Sequence, residues 1–272
     1  ICRIPETPVS QKERDSVTTL NQKVCIVTGG GSGIGRSTVL AMAELGAKVA
    51  VVGRTRSKLD AVVAEVASVG GEARAYVADV ADWDAVAAMT ADVIDRWGRI
   101  DVLVNNAGTN VAHRGILDTT PEEIEQLVAI NLNGTIFCAR AALPQMLKQG
   151  GGTIVNVSSM AALRPGMMSG VAYASSKAGV NAFNEFLNDE LQHTQVRSCV
   201  ISPGEVVTPI LEERSKPPDS AARDTMCQPE DVAAAVVFVA TLPARTMVPE
   251  MVVVPTVSRD ASSELLARPG AP

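Results

Sequence analysis

The residues with the most chemical promise in this 272-residue chain are Tyr173 and Lys177, four apart in Tyr173-Ala-Ser-Ser-Lys177 and just ahead of an apolar helical pattern. Residues at that spacing share one helix face, so the phenol and the ammonium share an environment. A phenol, whose ordinary pKa is about 10, is a poor acid or base near neutrality. A cation held close favours the phenolate and lowers that value. On this reading Tyr173 is an acid/base group tuned by Lys177.

Such a pair works only if a fold brings a substrate to it. Lys23–Thr28 is a short apolar run of the kind buried on both faces of a sheet, and it leads into Gly29-Gly-Gly-Ser32-Gly33-Ile34-Gly35, with a helix expected from Gly33 to Leu45. Strand, glycine loop and helix N-terminus together make a phosphate site. The spacing G-x-x-x-G-x-G differs from the commoner dinucleotide fingerprint, and a plain glycine turn is the alternative. A second strand, Val49–Val52, ends at Gly53-Arg54 where a carboxylate would otherwise meet the ribose of NAD. Arg54 suits a 2′-phosphate instead, so NADP(H) is preferred and NAD(H) kept as possible, unless the basic residues merely cap a solvated turn.

Strands and helices alternate from there. A third strand ends in Asp79-Val80, a helix runs from Trp83 to Trp97 with Asp82 as N-cap, and the strand Asp101–Asn105 delivers Asn105-Asn106-Ala107-Gly108. Thr120-Pro-Glu-Glu123 is a capping box opening a long helix that contains Asn131. The strand Thr153–Val157 delivers Ser158-Ser159, of which Ser159 is the candidate for a substrate oxygen. Phe183, Phe186, Leu187 and Leu191 form the apolar stripe of the Tyr173 helix. The strand Val196–Ile201 precedes Pro203-Gly204, Pro229 opens a further helix, and Met251–Val254 is the last strand. The alternation implies a parallel sheet with helices on both faces and ligands at the strand C-terminal edge.

Residues 1–21 read as a flexible tail, 22–258 as one NAD(P)-binding catalytic domain, 205–228 as a substrate loop or lid within it, and 259–272 as a loose C-terminal tail. The net charge of −6 argues against nucleic acid or an anionic membrane as partner. No apolar run of about 18 residues is evident and the first twenty residues are polar, so neither a membrane span nor a signal peptide is expected, and a cytoplasmic location is the default. Five scattered cysteines without metal-like spacing read as reduced thiols, with Cys25 and Cys199 in core strands. His113 and His193 receive no role, and no metal is expected.

Thr28-Gly29-x-x-x-Gly33-Ile34-Gly35, Asp79-Val80, Asn105-Asn-Ala-Gly108, Asn131, Ser158-Ser159, Tyr173-x-x-x-Lys177 and Pro203-Gly204, in that order, resemble the short-chain dehydrogenase/reductase family over residues 23 to about 255. The resemblance implies a single-domain α/β fold of three layers, a Rossmann-type doubly wound sheet of about seven parallel strands, and a homodimer or homotetramer. By the same resemblance Tyr173 exchanges a proton with the substrate oxygen, Lys177 lowers its pKa and binds the nicotinamide ribose, Ser159 polarises the carbonyl, and Asn131 holds a water linking Lys177 to solvent. Asp79 would contact adenine, Asn106 to Gly108 would line the adenosine side, and Thr208 would meet the nicotinamide carboxamide. Two departures stand out: the interval from Ser159 to Tyr173 is one residue longer than the family's commonest spacing, which points to an altered turn at 165–170, and the ending Pro249-Glu-Met-Val-Val-Val-Pro255 is similar to the NADP-dependent 3-hydroxy acid and serine dehydrogenase branch. The expected activity is hydride transfer between NADP(H) and a small or medium alcohol/carbonyl substrate. A binding protein of the same fold, a sensor or scaffold without turnover, is the alternative.

Overall fold

The computed structural model describes residues 19–261 and Glu264. The sheet has seven strands, all parallel: β1 (Val24–Thr28), β2 (Lys48–Gly53), β3 (Glu72–Val77), β4 (Val102–Asn105), β5 (Gly152–Val157), β6 (Val196–Pro203) and β7 (Glu250–Val253), in the spatial order β3-β2-β1-β4-β5-β6-β7. The helices are α1 (Gly33–Glu44), α2 (Arg56–Ser68), α3 (Trp83–Trp97), α4 (Pro121–Lys148), the short α5 (Met160–Leu163), α6 (Val171–Glu190), the short α7 (Ser220–Arg223) and α8 (Pro229–Thr241). This is the doubly wound three-layer fold foreseen from the alternation. Successive side chains of a strand face opposite sides, so Cys25 and Val27 join one core while Val24 and Ile26 join the other, and β1 is buried along its whole length.

Local chemistry set most boundaries. The Asp82 carboxylate accepts from the N–H groups of Asp84 and Ala85, and Gly98 closes α3 in the left-handed conformation, so the helix spans the residues that its caps predict. The Thr120 capping box forms, with Pro121 at the first helical position.

Four expectations need correction. Residues 1–18 of the expected N-terminal tail lie outside the described residues, but Leu20 is buried and its N–H bonds Leu45 O at 3.0 Å, because the loop at Gly46 offers it a seat. The helix Pro121–Lys148 is long and apolar enough to cross a bilayer by length and composition, which the sequence reading had not expected; here its buried residues, such as Cys138 and Met146, join the core beside Leu103 and Ile154. Phe186 is exposed while Leu187 and Leu191 are buried, since one residue turns the chain roughly 100° off the 187/191 face. At the C-terminal end, Arg259 and Glu264 are not loose. Arg259 donates to Glu205 at 2.6 Å and pairs with Glu264, and Arg214 reaches Glu205 at 3.0 Å and Glu264 at 2.9 Å. Residues 262–263 and 265–272 lie outside the described set.

Candidate active site

The glycine loop, Asn106–Gly108 and Ser158–Ser159 follow β1, β4 and β5, and Pro203–Gly204 end β6, so all four arrive at the same C-terminal edge of the sheet. The β1–β4 boundary, where the strand order reverses, opens a crevice there. It is a cleft of about 500 Å³.

At one end lies the start of α1. Ser32 has an extended N-cap conformation but makes no side-chain cap, and no acid occupies the first turn, so the N–H groups facing the cleft at Ser32, Gly33 and Ile34 lack the usual intramolecular anion. Gly29 and Gly33 have positive φ, of 64° and 50°, a conformation that L side chains resist. Gly35 does not line the cleft; a Cβ there would come 2.2 Å from Gly29 O, so its role is close packing of helix on loop. A phosphate-bearing ligand fits this uncapped corner, where Gly29 and Gly33 carry no side chain.

Thr28 holds the neighbouring loop in place. Its hydroxyl accepts from the N–H groups of Asn106 and Ala107, both at 3.0 Å, while Asn106 Nδ2 donates to Thr28 O at 2.9 Å. Asn106, Ala107 and Gly108 line the cleft, as do Pro203, Gly204 and Thr208 from the far side. Thr208 faces the phosphate corner, its Cγ2 being 3.1 Å from where a Cβ on Gly33 would sit. Arg54 and Asp79 stand apart from this lining; they face each other at 3.9 Å, both substantially exposed. Val80 is buried, and it packs against Gly134 rather than opening to the cleft.

The other end holds the reactive groups. Tyr173, Lys177 and Ser159 all line the cleft. Lys177 is buried and its ammonium donates to Val157 O at 2.8 Å, with Nζ 5.9 Å from the centre of the Tyr173 ring. Ser159 N-caps α5 by accepting from Ala161 N–H at 3.1 Å, and it lines the cleft beside Tyr173, whose phenol it influences electrostatically. The adjacent Ser158 is committed elsewhere: it is buried and its hydroxyl donates to Asn181 Oδ1 at 2.6 Å. The longer Ser159–Tyr173 interval is absorbed by the turn Gly166–Ser169, closed by the Ser169 hydroxyl on Gly166 O at 2.8 Å, and by Gly170, whose φ of 82° starts α6.

The electrostatics differ from the sequence reading in one respect. Burial pulls Lys177 down to about 8. Burial also raises the Tyr173 phenol above its ordinary value, and the forces opposing this come from the Ser159 side chain and the positive charges of Arg114 and Arg214, not Lys177. The Lys177 ammonium is engaged with Val157 O while lying over the Tyr173 ring.

Asn131 is wholly buried behind the cleft rather than on its wall. Within α4 the segment Val128–Asn133 is a π turn, flanked by α-helical Pro121–Leu127 and Gly134–Lys148. The wider turn aims the Asn131 amide across to the loop after β4: Oδ1 accepts from Thr109 N–H at 2.9 Å, and Nδ2 donates to Thr109 O and to the Ser176 hydroxyl, each at 3.1 Å. A Cβ at Gly108 would lie 3.3 Å from Asn131 Oδ1 and 3.4 Å from Lys177 Nζ, so both polar atoms converge on the space that this glycine leaves.

Sequence reasoning missed two features. A buried polar network joins β4, β5 and β6 to α6: Asn105 Nδ2 donates to Asn156 Oδ1 at 2.9 Å, Asn156 Nδ2 to Asn184 Oδ1 at 3.2 Å, and the Ser198 hydroxyl to Asn184 Oδ1 at 2.6 Å. This ties the Tyr173 helix to the sheet. The other feature is Arg114, which lines the cleft while being only 7% exposed.

A fold and site of this kind define an oxidoreductase architecture, and known proteins agree. The family profile of the short chain dehydrogenases matches residues 23–219. A 3-oxoacyl-acyl-carrier-protein reductase of Synechocystis is 37% identical over 233 residues, covering 84% of this chain and 93% of the relative. A reductase of the same name from Thermotoga maritima is 35% identical, covering 82% and 92%. Among solved structures, a serine dehydrogenase in its closed form complexed with NADP+ superposes with a TM-score of 0.80 at 31% identity, covering 88% of this chain and 97% of that one. A metagenomic short-chain oxidoreductase in complex with NADP gives 0.76 at 33%, covering 87% and 99%. The chain belongs to the short-chain dehydrogenase family, and the enzyme class foreseen from its motifs, an oxidoreductase of the alcohol/carbonyl pair, goes with that membership.

Proposed function

We propose that this chain is an NADP(H)-dependent oxidoreductase that moves a hydride between nicotinamide and a small or medium alcohol/carbonyl substrate, with Tyr173 as the acid/base. The observation that carries the reading is one cleft holding an uncapped helix N-terminus at Ser32–Ile34 and, beyond it, Tyr173, Ser159 and Lys177. That two structural relatives were solved with NADP supports the choice of cofactor. The N–H groups at Ser32 to Ile34 would hold the pyrophosphate. Asn106, Ala107 and Gly108 would flank the adenosine side with Asp79, whose neighbour Val80 packs against Gly134 instead, and Lys177, Pro203, Gly204 and Thr208 the nicotinamide half. Arg54, held only loosely by Asp79, would receive a 2′-phosphate. When bound, the nicotinamide supplies or accepts the hydride.

In reduction the neutral Tyr173 donates its proton to the substrate oxygen as negative charge develops there, while the Ser159 hydroxyl donates a hydrogen bond to the same oxygen. The raised pKa of Tyr173 keeps that proton in place through neutral pH and suits this direction. Lys177, brought down to about 8, is positioned to restore the proton, with Asn131 holding a water behind it. The 205–228 segment acts as the substrate loop, since Thr208, Ile210 and Leu211 from it line the cleft. We further propose a cytoplasmic homodimer or homotetramer, supported by the exposed Phe186 on the Tyr173 helix.

The test is fluorescence titration with NADPH and NADH, then turnover on a panel of aldehydes, ketones and oxo acids. NADPH binding with turnover supports the proposal. NADPH binding with no turnover on the panel favours a binding protein instead, and preference for NADH removes the role given to Arg54.

A further inference from the structure

The substrate end of the cleft is positively charged although the chain as a whole carries −6. Its charged lining is Arg114, Arg164, Lys177 and Arg214 against Glu205 and Glu213. These cations are not alike. Arg214 is neutralised by Glu205 and Glu264. Arg164 is exposed, and Lys177 is engaged at Val157 O. Arg114 is buried, yet among the described residues it has no carboxylate partner. Of the five N–H donors of its guanidinium, one bonds Ser169 O at 3.1 Å and one Glu213 O at 3.2 Å. Burial is the largest force against its charge, Arg214 repels it, and the Glu213 carboxylate attracts it from beyond ion-pair range.

A buried charge that lacks a partner costs stability, and a fold keeps one where a ligand completes it. The side chain is also fixed in place. Its Cδ lies 2.9 Å from where a Cβ on Gly170 would stand, so only glycine at the start of the Tyr173 helix admits it, and Val171 N–H donates to Arg114 O at 3.0 Å. It is thus built into the turn that opens the Tyr173 helix.

We propose that Arg114 receives a carboxylate on the substrate, so that the compound turned over is a short oxo acid or hydroxy acid rather than a neutral ketone or alcohol. The planar guanidinium matches a carboxylate with two parallel hydrogen bonds. The inference rests on the oxidoreductase reading for the identity of the reaction, but the anion site itself does not depend on turnover.

Its test therefore uses unreactive probes. Butanoate and butanamide have nearly the same shape and differ in charge, and ligand-observed NMR titration measures both against the full chain, with and without NADPH. Butanoate should bind at least about ten-fold more tightly than butanamide. Arg114→Gln should lose that preference, and Arg114→Lys should keep part of it, with circular dichroism confirming that each variant is folded. A merely structural Arg114 would shift both probes together. Equal binding of the two probes by the wild-type chain, or a preference that survives in folded Arg114→Gln, overturns the proposal. A charge preference carried by Arg114 in a chain that turns nothing over would leave the anion site standing and remove the oxidoreductase reading alone.

Discussion

Replacing Lys177 by Met keeps the length of the side chain and deletes its charge. Lys177 is 4% exposed, and burial pulls its pKa from the ordinary 10.5 to about 8. Between those values the unfolded chain binds a proton that the folded chain has released, so the stability of the wild type rises with pH across that window. Below it both states carry the charge, and the folded state bears the full cost of burying it. At about 1.4 kcal/mol for each tenfold change in proton affinity, that cost is about 3 kcal/mol. The variant also loses the hydrogen bond to Val157 O, but this loss does not vary with pH and shifts its whole curve by a constant. The comparison across pH is therefore clean. Urea unfolding of both proteins at one fixed protein concentration, from about pH 7 to about pH 11, should show the stability difference moving in favour of the wild type by about 3 kcal/mol, mostly between about pH 8 and 10.5. A difference flat to within about 0.5 kcal/mol would show that Lys177 does not titrate in this window and has no proton to relay near neutrality.

Other outcomes follow from the same geometry. Gly35→Ala places a methyl 2.2 Å from Gly29 O, so it should destabilise the chain by about 1–3 kcal/mol and abolish NADPH binding, read by thermal melting and fluorescence. Arg54→Ala should weaken NADPH about five-fold and leave NADH unchanged; the effect is modest because the side chain is exposed, and it should shrink as salt is raised. Because burial raises the Tyr173 phenol, alcohol oxidation, which needs the phenolate, should climb with pH well past neutrality, whereas carbonyl reduction should stay level there; steady-state rates in both directions check this.

The frame of the molecule was legible because its signals are local. Strand periodicity, the Asp82 and Thr120 caps and the glycines after β1 each act within a few residues, and they fixed the element order, the exact span of α3 and the edge where the motifs gather. What escaped depends on contacts distant in sequence. Arg114 is an unremarkable loop arginine until Ser169 and Glu213, 55 and 99 positions away, enclose it. Arg259 likewise reads as tail until Glu205, 54 positions earlier, receives it. The π turn at Asn131 leaves no mark in composition, since one shifted backbone bond uses the same residues as an α-helix. Lys177 shares a face with Tyr173 as its spacing predicts, but spacing does not reveal which acceptor the ammonium chooses, and Val157 O takes it.

The central claim is that Tyr173 moves the proton. Tyr173→Phe retains the ring in the cleft wall and removes only the hydroxyl. With the best carbonyl substrate from the panel and saturating NADPH, the account predicts a fall in kcat of about 10²–10⁴, with the NADPH dissociation constant changed by no more than about ten-fold. A Phe variant that reduces the substrate at a rate near that of the wild type would contradict it.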